Sequence, residues 1–416
     1  MDLSILVYSI TGFFSLYTLY YFLLFCASYK KKQGVPKVDF KSRTRFLVLV
    51  PAHNEEAVIG EICSDLLNQK YPGDLFRVLV IADNCCDSTA RIVRKFECER
   101  LRVVERRSEI RGKGAALDYV LENKPRLIPG FDPDYVVIFD ADNRVPEDFL
   151  GSLSVQAKGQ AALQCNVKTK NPGSSWLTKA SYYEGILLQR LWQQGKDKLG
   201  LCTALAGTGE AIRYDLISEM KFGNSLTDDL DLTIRLARKG MRVKYLHYPC
   251  TFDEKPDDLK VEVKRRIRWT TGHFQTFFKY GKDLLGRPSR LTFDAFFYLT
   301  NIVAPFVVFA SWAVSLLQAL GLATAVVVPP AYSILLTFII FPLLAAISWL
   351  EGDTHFVKNF PKFYALTAIW FLAAPVGLVK ALLGGATWER TPHKFTSGSV
   401  RGAPGGPIFA AGQDAR

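Results

Sequence analysis

Zinc-binding spacing is absent from this chain. Its eight cysteines contain no Cys-x-x-Cys, and none lies at a zinc-like interval from the five histidines. Scattered thiols in a core-like region instead point to reduced cysteines on a cytosolic face. The vicinal Cys85-Cys86 reads as packing near a loop, with redox chemistry as the competing reading. No Gly-x-Gly-x-x-Gly follows the first strand-like run, which argues against a dinucleotide cofactor. No nucleic-acid-binding motif and no internal repeat is present, so the net charge of +12 and the pI near 9.2 need another partner. Charge is also scarce locally: residues 4–28, most of 295–350 and 364–383 are almost free of it.

Those uncharged stretches supply the explanation. Lys30-Lys31-Lys32 and Arg287/Arg290 flank them, the arrangement expected on the cytoplasmic side of a membrane beside anionic lipids. Ser4 to Ala27 is long enough to span about 30 Å of hydrocarbon as a helix. A signal peptide is the competing reading, disfavoured by Asp2, the lack of an early basic region and the lack of a small-residue cleavage site. Three later segments, near 295–320, 331–350 and 364–383, approach spanning length. Pro375 interrupts the third, for which an interfacial position is the alternative. The expectation is a multi-pass integral membrane protein: an N-terminal transmembrane helix (1–29), a cytosolic domain (43–258), an interface region (259–290), C-terminal transmembrane helices (291–385) and a flexible tail (386–416). The side of the C-terminus stays open.

Between the apolar ends, strand and helix signals alternate. Phe46–Pro51, Arg77–Asp83, Leu101–Glu105 and Tyr135–Asp140 read as strands; Glu55–Leu67, Ser88–Phe96 and Lys113–Glu122 read as helices. This alternation implies an α/β fold with a doubly wound, mostly parallel sheet. Ser175–Lys198 and Lys260–Tyr280 read as helices mixing aromatic and basic residues, suited either to core packing or to lying on a membrane face.

Acidic residues then cluster where such a sheet binds ligands, beyond the C-terminal ends of its strands. Glu55, in His53-Asn54-Glu55-Glu56, either opens a helix or belongs to a loop gripping a nucleotide. Asp83 ends the second strand, placed to accept hydrogen bonds from a base or ribose, while Asp87 or Ser88 caps the next helix. Arg111-Gly112-Lys113-Gly114 precedes a helix and has the makings of an anion site without full phosphate-loop spacing. Asp140 and Asp142 are two carboxylates that repel each other unless a cation lies between or beside them, which suits Mg²⁺ or Mn²⁺. Gly207-Thr208-Gly209 is a tight turn or the floor of an acceptor site. Thr227-Asp228-Asp229 reads as a helix start with Thr227 as its cap. Arg265-Arg266-Ile267-Arg268-Trp269 is either a basic interfacial face or a motif whose arginines grip a diphosphate and whose Trp269 stacks on a sugar.

In this order, over roughly residues 44–280, the motifs resemble those of family 2 inverting glycosyltransferases. The nearest branch is membrane-embedded and holds chitin, cellulose, hyaluronan and poly-N-acetylglucosamine synthases and Nod-factor chitooligosaccharide synthases. The resemblance implies a GT-A fold and a UDP-sugar donor held by Glu55, Asp83, Lys113, Asp140, Arg265, Arg268 and Trp269. It implies Asp142, with Asp140, as ligands of Mg²⁺ or Mn²⁺, and Asp229 as the base. Gly207, Thr208, Gly209 and Trp269 would meet the acceptor. Asp228 stands where the family has Glu, and Arg265 where processive members have Gln, which leaves the number of sugars added open. Two acceptors follow: a growing β-linked polysaccharide, whose export through few helices would call for a homo-oligomer or partner, or a single lipid such as ceramide, a diacylglycerol or a polyprenyl phosphate. A non-catalytic membrane scaffold is a third, less supported class.

Overall fold

The computed structural model describes residues 3–29, 43–307, 316, 320–321 and 341–384. Lys30–Lys32, much of the expected segment 295–320, the first half of the expected segment 331–350, and the tail from 385 lie outside the described residues.

A seven-stranded sheet forms the centre, ordered β3-β2-β1-β4-β6-β5-β7. The strands are β1 (Phe46–Ala52), β2 (Phe76–Asp83), β3 (Leu101–Arg106), β4 (Tyr135–Ile138), β5 (Ala162–Thr169), β6 (Glu210–Arg213) and β7 (Val243–Asp253). Only β6 runs against its neighbours, pairing antiparallel with β4 and β5. The apolar runs are buried on both faces, as a sheet between two helix layers requires. Leu47, Leu49, Leu79 and Ile138 pack on one side with α4 (Lys113–Leu127), α8 (Tyr214–Met220) and α9 (Asp228–Arg238). Phe46, Val48, Val50 and Val137 pack on the other with α2 (Ile59–Leu67), α3 (Thr89–Arg94) and α5 (Phe149–Ala157).

β1 to β4 fall within a residue or two of expectation, β5, β6 and β7 were not read from the sequence, and α2 starts four residues later than Glu55. Asn54 takes a left-handed φ of 57°, and the Glu55 amide donates to Thr89 Oγ1 at 2.7 Å, so the chain turns before it coils.

A second layer of helices lies over the C-terminal edge of the sheet. The expected helix over Ser175–Lys198 divides into α6 (Trp176–Leu187), a π-helical stretch (Leu188–Gln194) and α7 (Gly195–Lys198). It packs between α1 (Leu3–Ser28) and the last helix rather than presenting one free face. α10 (Leu259–Leu285), α11 (Arg290–Thr300), the short apolar helix α12 (Phe341–Leu350) and α13 (Phe356–Leu383) complete the layer. Contrary to the expected break, α13 runs continuously through Pro361 and Pro375. Among the described residues it alone is both long and apolar enough to cross a membrane.

Arg266 corrects the reading of residues 265–269 as one basic face. It is fully buried, donating to Glu262 Oε1 at 2.7 Å and to Glu184 Oε2 at 2.6 Å, with its guanidinium 4.5 Å from the Trp370 ring centroid. It thus ties α10 to α6 and α13.

Candidate functional site

The register of the sheet places the site. Ala52 of β1 lies beside Ala82 of β2, and Leu49 beside Ile138 of β4, so the loops after all three strands leave one edge. Antiparallel β6 brings its first residue, Glu210, to the same edge, paired with Ile138.

Asp83 is buried, and its Oδ1 accepts from Arg106 Nη1 at 2.6 Å and from Asn84 Nδ2 at 3.2 Å. Both bonds fall on one oxygen, which leaves Oδ2 for a ligand. The His53–Glu55 loop is knitted to it: His53 Nδ1 lies 2.7 Å from the Asp83 carbonyl, and the Cys86 amide donates to Asn54 Oδ1 at 2.8 Å. Cys85 lies in the same knot, with burial pushing its thiol pKa up, which suits packing rather than reactivity. Asp87, not Ser88, takes the amide of Thr89 at 2.9 Å.

Lys113 is the hub. Its Nζ donates to Asp140 Oδ1 at 2.5 Å and to the Gly207 carbonyl at 2.5 Å. Burial lowers its pKa, but Asp140, Asp228 and Glu210 raise it and prevail, so it is cationic. The glycines around it serve close packing: a Cβ on Gly114 would lie 2.0 Å from the Gly223 carbonyl, and one on Gly112 2.6 Å from Asn224 Oδ1.

Asp142 is buried, accepting from Asn143 Nδ2 and the Glu254 amide, each at 3.3 Å. Asp140 is half exposed. Among the described residues no three His, Cys, Asp or Glu side chains gather into a ready metal cage. Two oxygen donors at the cavity edge nonetheless fit a cation that takes its remaining ligands from phosphate and water.

Gly207 and Gly209 adopt φ of 78° and 61°, and the Gly209 amide donates to the Ile138 carbonyl at 2.9 Å, so the turn caps β4. Thr208 Oγ1 accepts from the Asp140 amide at 3.2 Å and donates to Asn143 Oδ1. Thr208 therefore braces the Asp140–Asn143 turn, and Gly207 lies near Asp229: a Cβ on it would meet Asp229 Oδ2 at 3.5 Å.

Asp228 and Asp229 open α9. The expected Thr227 cap does not form; its hydroxyl is buried without a hydrogen bond, pressed against Gly272 of α10. Burial, then the charge of Asp228, pushes the Asp229 carboxyl up to about 6. Arg268 donates to the Leu226 carbonyl at 3.2 Å and lies within electrostatic reach of both aspartates. Arg265 pairs with Glu262 at 2.7 Å and lies 4.5 Å from the Trp269 ring centroid. Trp269 lies nearly parallel to Trp370 of α13, with ring centroids 6.3 Å apart.

Glu210 was missed by sequence reasoning. It is buried, accepts from the Gly207 amide at 3.2 Å, and burial pushes its carboxyl up to about 8. Its only sequence signal was adjacency to Gly207-Thr208-Gly209.

Asp83, Lys113, Asp140, Asp142, Gly207, Thr208, Asp228, Asp229, Arg265, Arg268 and Trp269 line one cavity of about 2170 Å³, with Glu210 behind its wall at the Gly207 amide. From Asp229 it continues between the helices of the second layer, past Tyr21, Phe25, Leu188, Phe341 and Phe363.

Comparison with known proteins agrees with the motifs. A family model described as "Glycosyltransferase like family 2" matches residues 43–272. The chain is 28% identical over 283 residues to the probable glycosyltransferase YdaM of Bacillus subtilis, covering 64% of this chain and 65% of that protein. It is 31% identical over 270 residues to beta-monoglucosyldiacylglycerol synthase of Nostoc sp., covering 62% and 56%. It is 23% identical over 242 residues to poly-beta-1,6-N-acetyl-D-glucosamine synthase of Staphylococcus aureus, covering 57% and 56%. The match thus spans 56% to 65% of the length of these relatives. In fold, the chain is similar to the mannosyltransferase PcManGT from Pyrobaculum calidifontis, solved with GDP-Man and Mn²⁺: the TM-score is 0.62 at 22% identity, over 91% of this chain and 99% of that one. With its motifs in order on a GT-A fold and the family match covering more than half its length, the chain belongs to the family 2 glycosyltransferases.

Proposed function

We propose that this protein transfers a single hexose, with inversion, from a UDP-sugar to a hydroxyl of a membrane lipid, working at the cytosolic face. Polymer and lipid acceptors both have relatives in the comparisons. The observation that favours lipid is the cavity, which leads from Asp229 into a space walled by aromatic and aliphatic side chains. A sugar polymer would be met there by few polar partners, whereas an acyl chain loses apolar surface to it. α13 is the helix offered to the bilayer.

In the reaction, Asp83 receives the base through Oδ2, and Lys113 holds the Asp140 and Gly207 loops against the sugar phosphate. Arg268 adds positive charge where the diphosphate leaves. Asp229 accepts the proton of the acceptor hydroxyl as that oxygen bonds to C1 and the bond from C1 to the diphosphate oxygen breaks on the opposite side. Mg²⁺ or Mn²⁺ bound by Asp142 and Asp140 would supply charge neutralisation to the diphosphate.

Asp229→Asn is expected to abolish transfer from radiolabelled UDP-sugars while UDP still binds by calorimetry. Turnover at the wild-type rate removes Asp229 as the base. Product analysis separates the acceptors: one glycolipid species supports the proposal, and a ladder of lengthening saccharides refutes it.

A further inference from the structure

Beside Asp229 the cavity wall holds three residues that no motif covers: Trp192 of the π-helical stretch, His273 of α10 and Tyr298 of α11. His273 Nε2 lies 3.2 Å from the Tyr298 carbonyl and 3.0 Å from that of Leu299. Both partners only accept, so Nε2 carries the proton and Nδ1 keeps its lone pair. Burial pulls the imidazole pKa down to about 4, so the ring is neutral in the physiological range. Tyr298 meets His273 edge-on, with centroids 5.5 Å apart, and Trp192 at 5.4 Å. Neither the Tyr298 hydroxyl nor His273 Nδ1 has a hydrogen-bond partner among the described residues, and Tyr298 lies within electrostatic reach of Asp229.

The wall is braced from behind. Lys196 Nζ lies 4.1 Å from the Trp192 ring centroid and 3.1 Å from Asp294 Oδ2, in a buried ion pair that spans α7 and α11. A donor and an acceptor are therefore held, without partners, on a rigid surface next to the proposed base. Such preorganised polar atoms in an apolar lining are what fixes the orientation of a bound ligand.

We propose that Tyr298 and His273 form the subsite for the acceptor head, and that this subsite takes an uncharged lipid head carrying a hydroxyl and an ester or amide, not a phosphate-ended one. This rests on the lipid-acceptor reading above. The Tyr298 phenol donates to an ester or amide carbonyl, and His273 Nδ1 accepts from an N–H or second hydroxyl where the head has one. Charge argues against phosphate. Asp228 and Asp229 stand at this end, while the nearby cations are engaged: Lys113 with Asp140, Arg265 with Glu262, Lys196 with Asp294, and Arg268, in the proposed reaction, with the leaving diphosphate. A phosphate monoester would meet carboxylate repulsion without the charge-assisted donors that hold such groups.

The test uses the full chain in bilayer nanodiscs with the UDP-sugar that supports turnover, offering dioleoylglycerol, N-oleoylsphingosine or undecaprenyl phosphate at equal mole fraction. Glycosylation of the two neutral lipids, with undecaprenyl phosphate at least about tenfold slower, is expected. Tyr298→Phe, which keeps the ring packing, is expected to raise the acceptor KM about tenfold for the loss of one hydrogen bond, while the donor KM moves less than about twofold. Equal or faster use of undecaprenyl phosphate overturns the proposal, as does a rise of both KM values in equal proportion. A water-soluble saccharide ladder with no lipid glycosylated overturns the lipid reading itself, which separates the two failures.

Discussion

A carboxylate that removes a proton from an alcohol works best when its own pKa lies close to the working pH. Asp229 meets this condition because burial, and then Asp228, raises it to about 6. In the proposed reaction the ionised form is the active one, so kcat/KM is expected to fall as pH drops through about 6 and to level off above it; a profile flat across that value counts against Asp229. The titration belongs to the Asp228–Asp229 pair as a unit. Glu210 carries a different consequence. With its pKa raised to about 8, the folded chain holds a proton that the unfolded chain releases in the ordinary carboxylate range. The resulting stability is full below that range and is lost as pH rises through about 8. Glu210→Gln keeps an oxygen for the Gly207 amide and removes the titration. Its melting temperature is expected to fall less than that of the wild type over this window, as followed by thermal unfolding at a series of pH values.

Helices meet at glycines along a line that ends at the Asp228–Asp229 turn. A Cβ on Gly377 of α13 would lie 2.1 Å from Thr270 Oγ1 of α10, and one on Gly272 of α10 would lie 2.6 Å from Thr227 Oγ1. The missing Thr227 cap has the same origin, since α10 occupies the side of the turn where the hydroxyl lies. Gly272→Ala is therefore expected to push α10 away from Asp228 and Asp229. Thermal unfolding should show a loss of about 1–3 kcal/mol, and kcat should fall more than the donor KM rises. β5, β6 and β7 were not read from the sequence, but the first four strands were legible from their apolar runs because a buried strand needs them whatever its neighbours. Helix starts were less so: α2 begins late because of a left-handed Asn54 and a hydrogen bond to Thr89, which is a partner in another element. The continuity of α13 through Pro361 and Pro375 was also hidden, since α13 packs along α10 and α6 and tertiary contacts can hold a helix that proline weakens.

At the scale of the molecule, one cavity joins a polar end, lined by the acidic motifs, to an apolar end between helices. If acyl chains occupy the apolar end, shortening them must weaken binding, because each buried methylene contributes about 0.8 kcal/mol. Dioctanoylglycerol is expected to be a poorer acceptor than dioleoylglycerol by more than about tenfold in KM at equal mole fraction; equal KM values would mean that the apolar end does not hold the chains. The sequence by itself determined the tips of β1 to β4, the order of the acidic motifs and hence the family, because these depend on local hydrophobic runs and on residues adjacent in the chain. It also named most of the groups around the cavity, from Asp83 to Trp269. Only the tertiary structure decided three things. Glu210 joins the site because β6 runs antiparallel to β4; Arg266 is a buried tie because α6, α10 and α13 converge on it; and Tyr298 and His273 face Asp229's cavity because α11 packs on α10. Each depends on a pairing or crossing between distant segments, which no local pattern encodes.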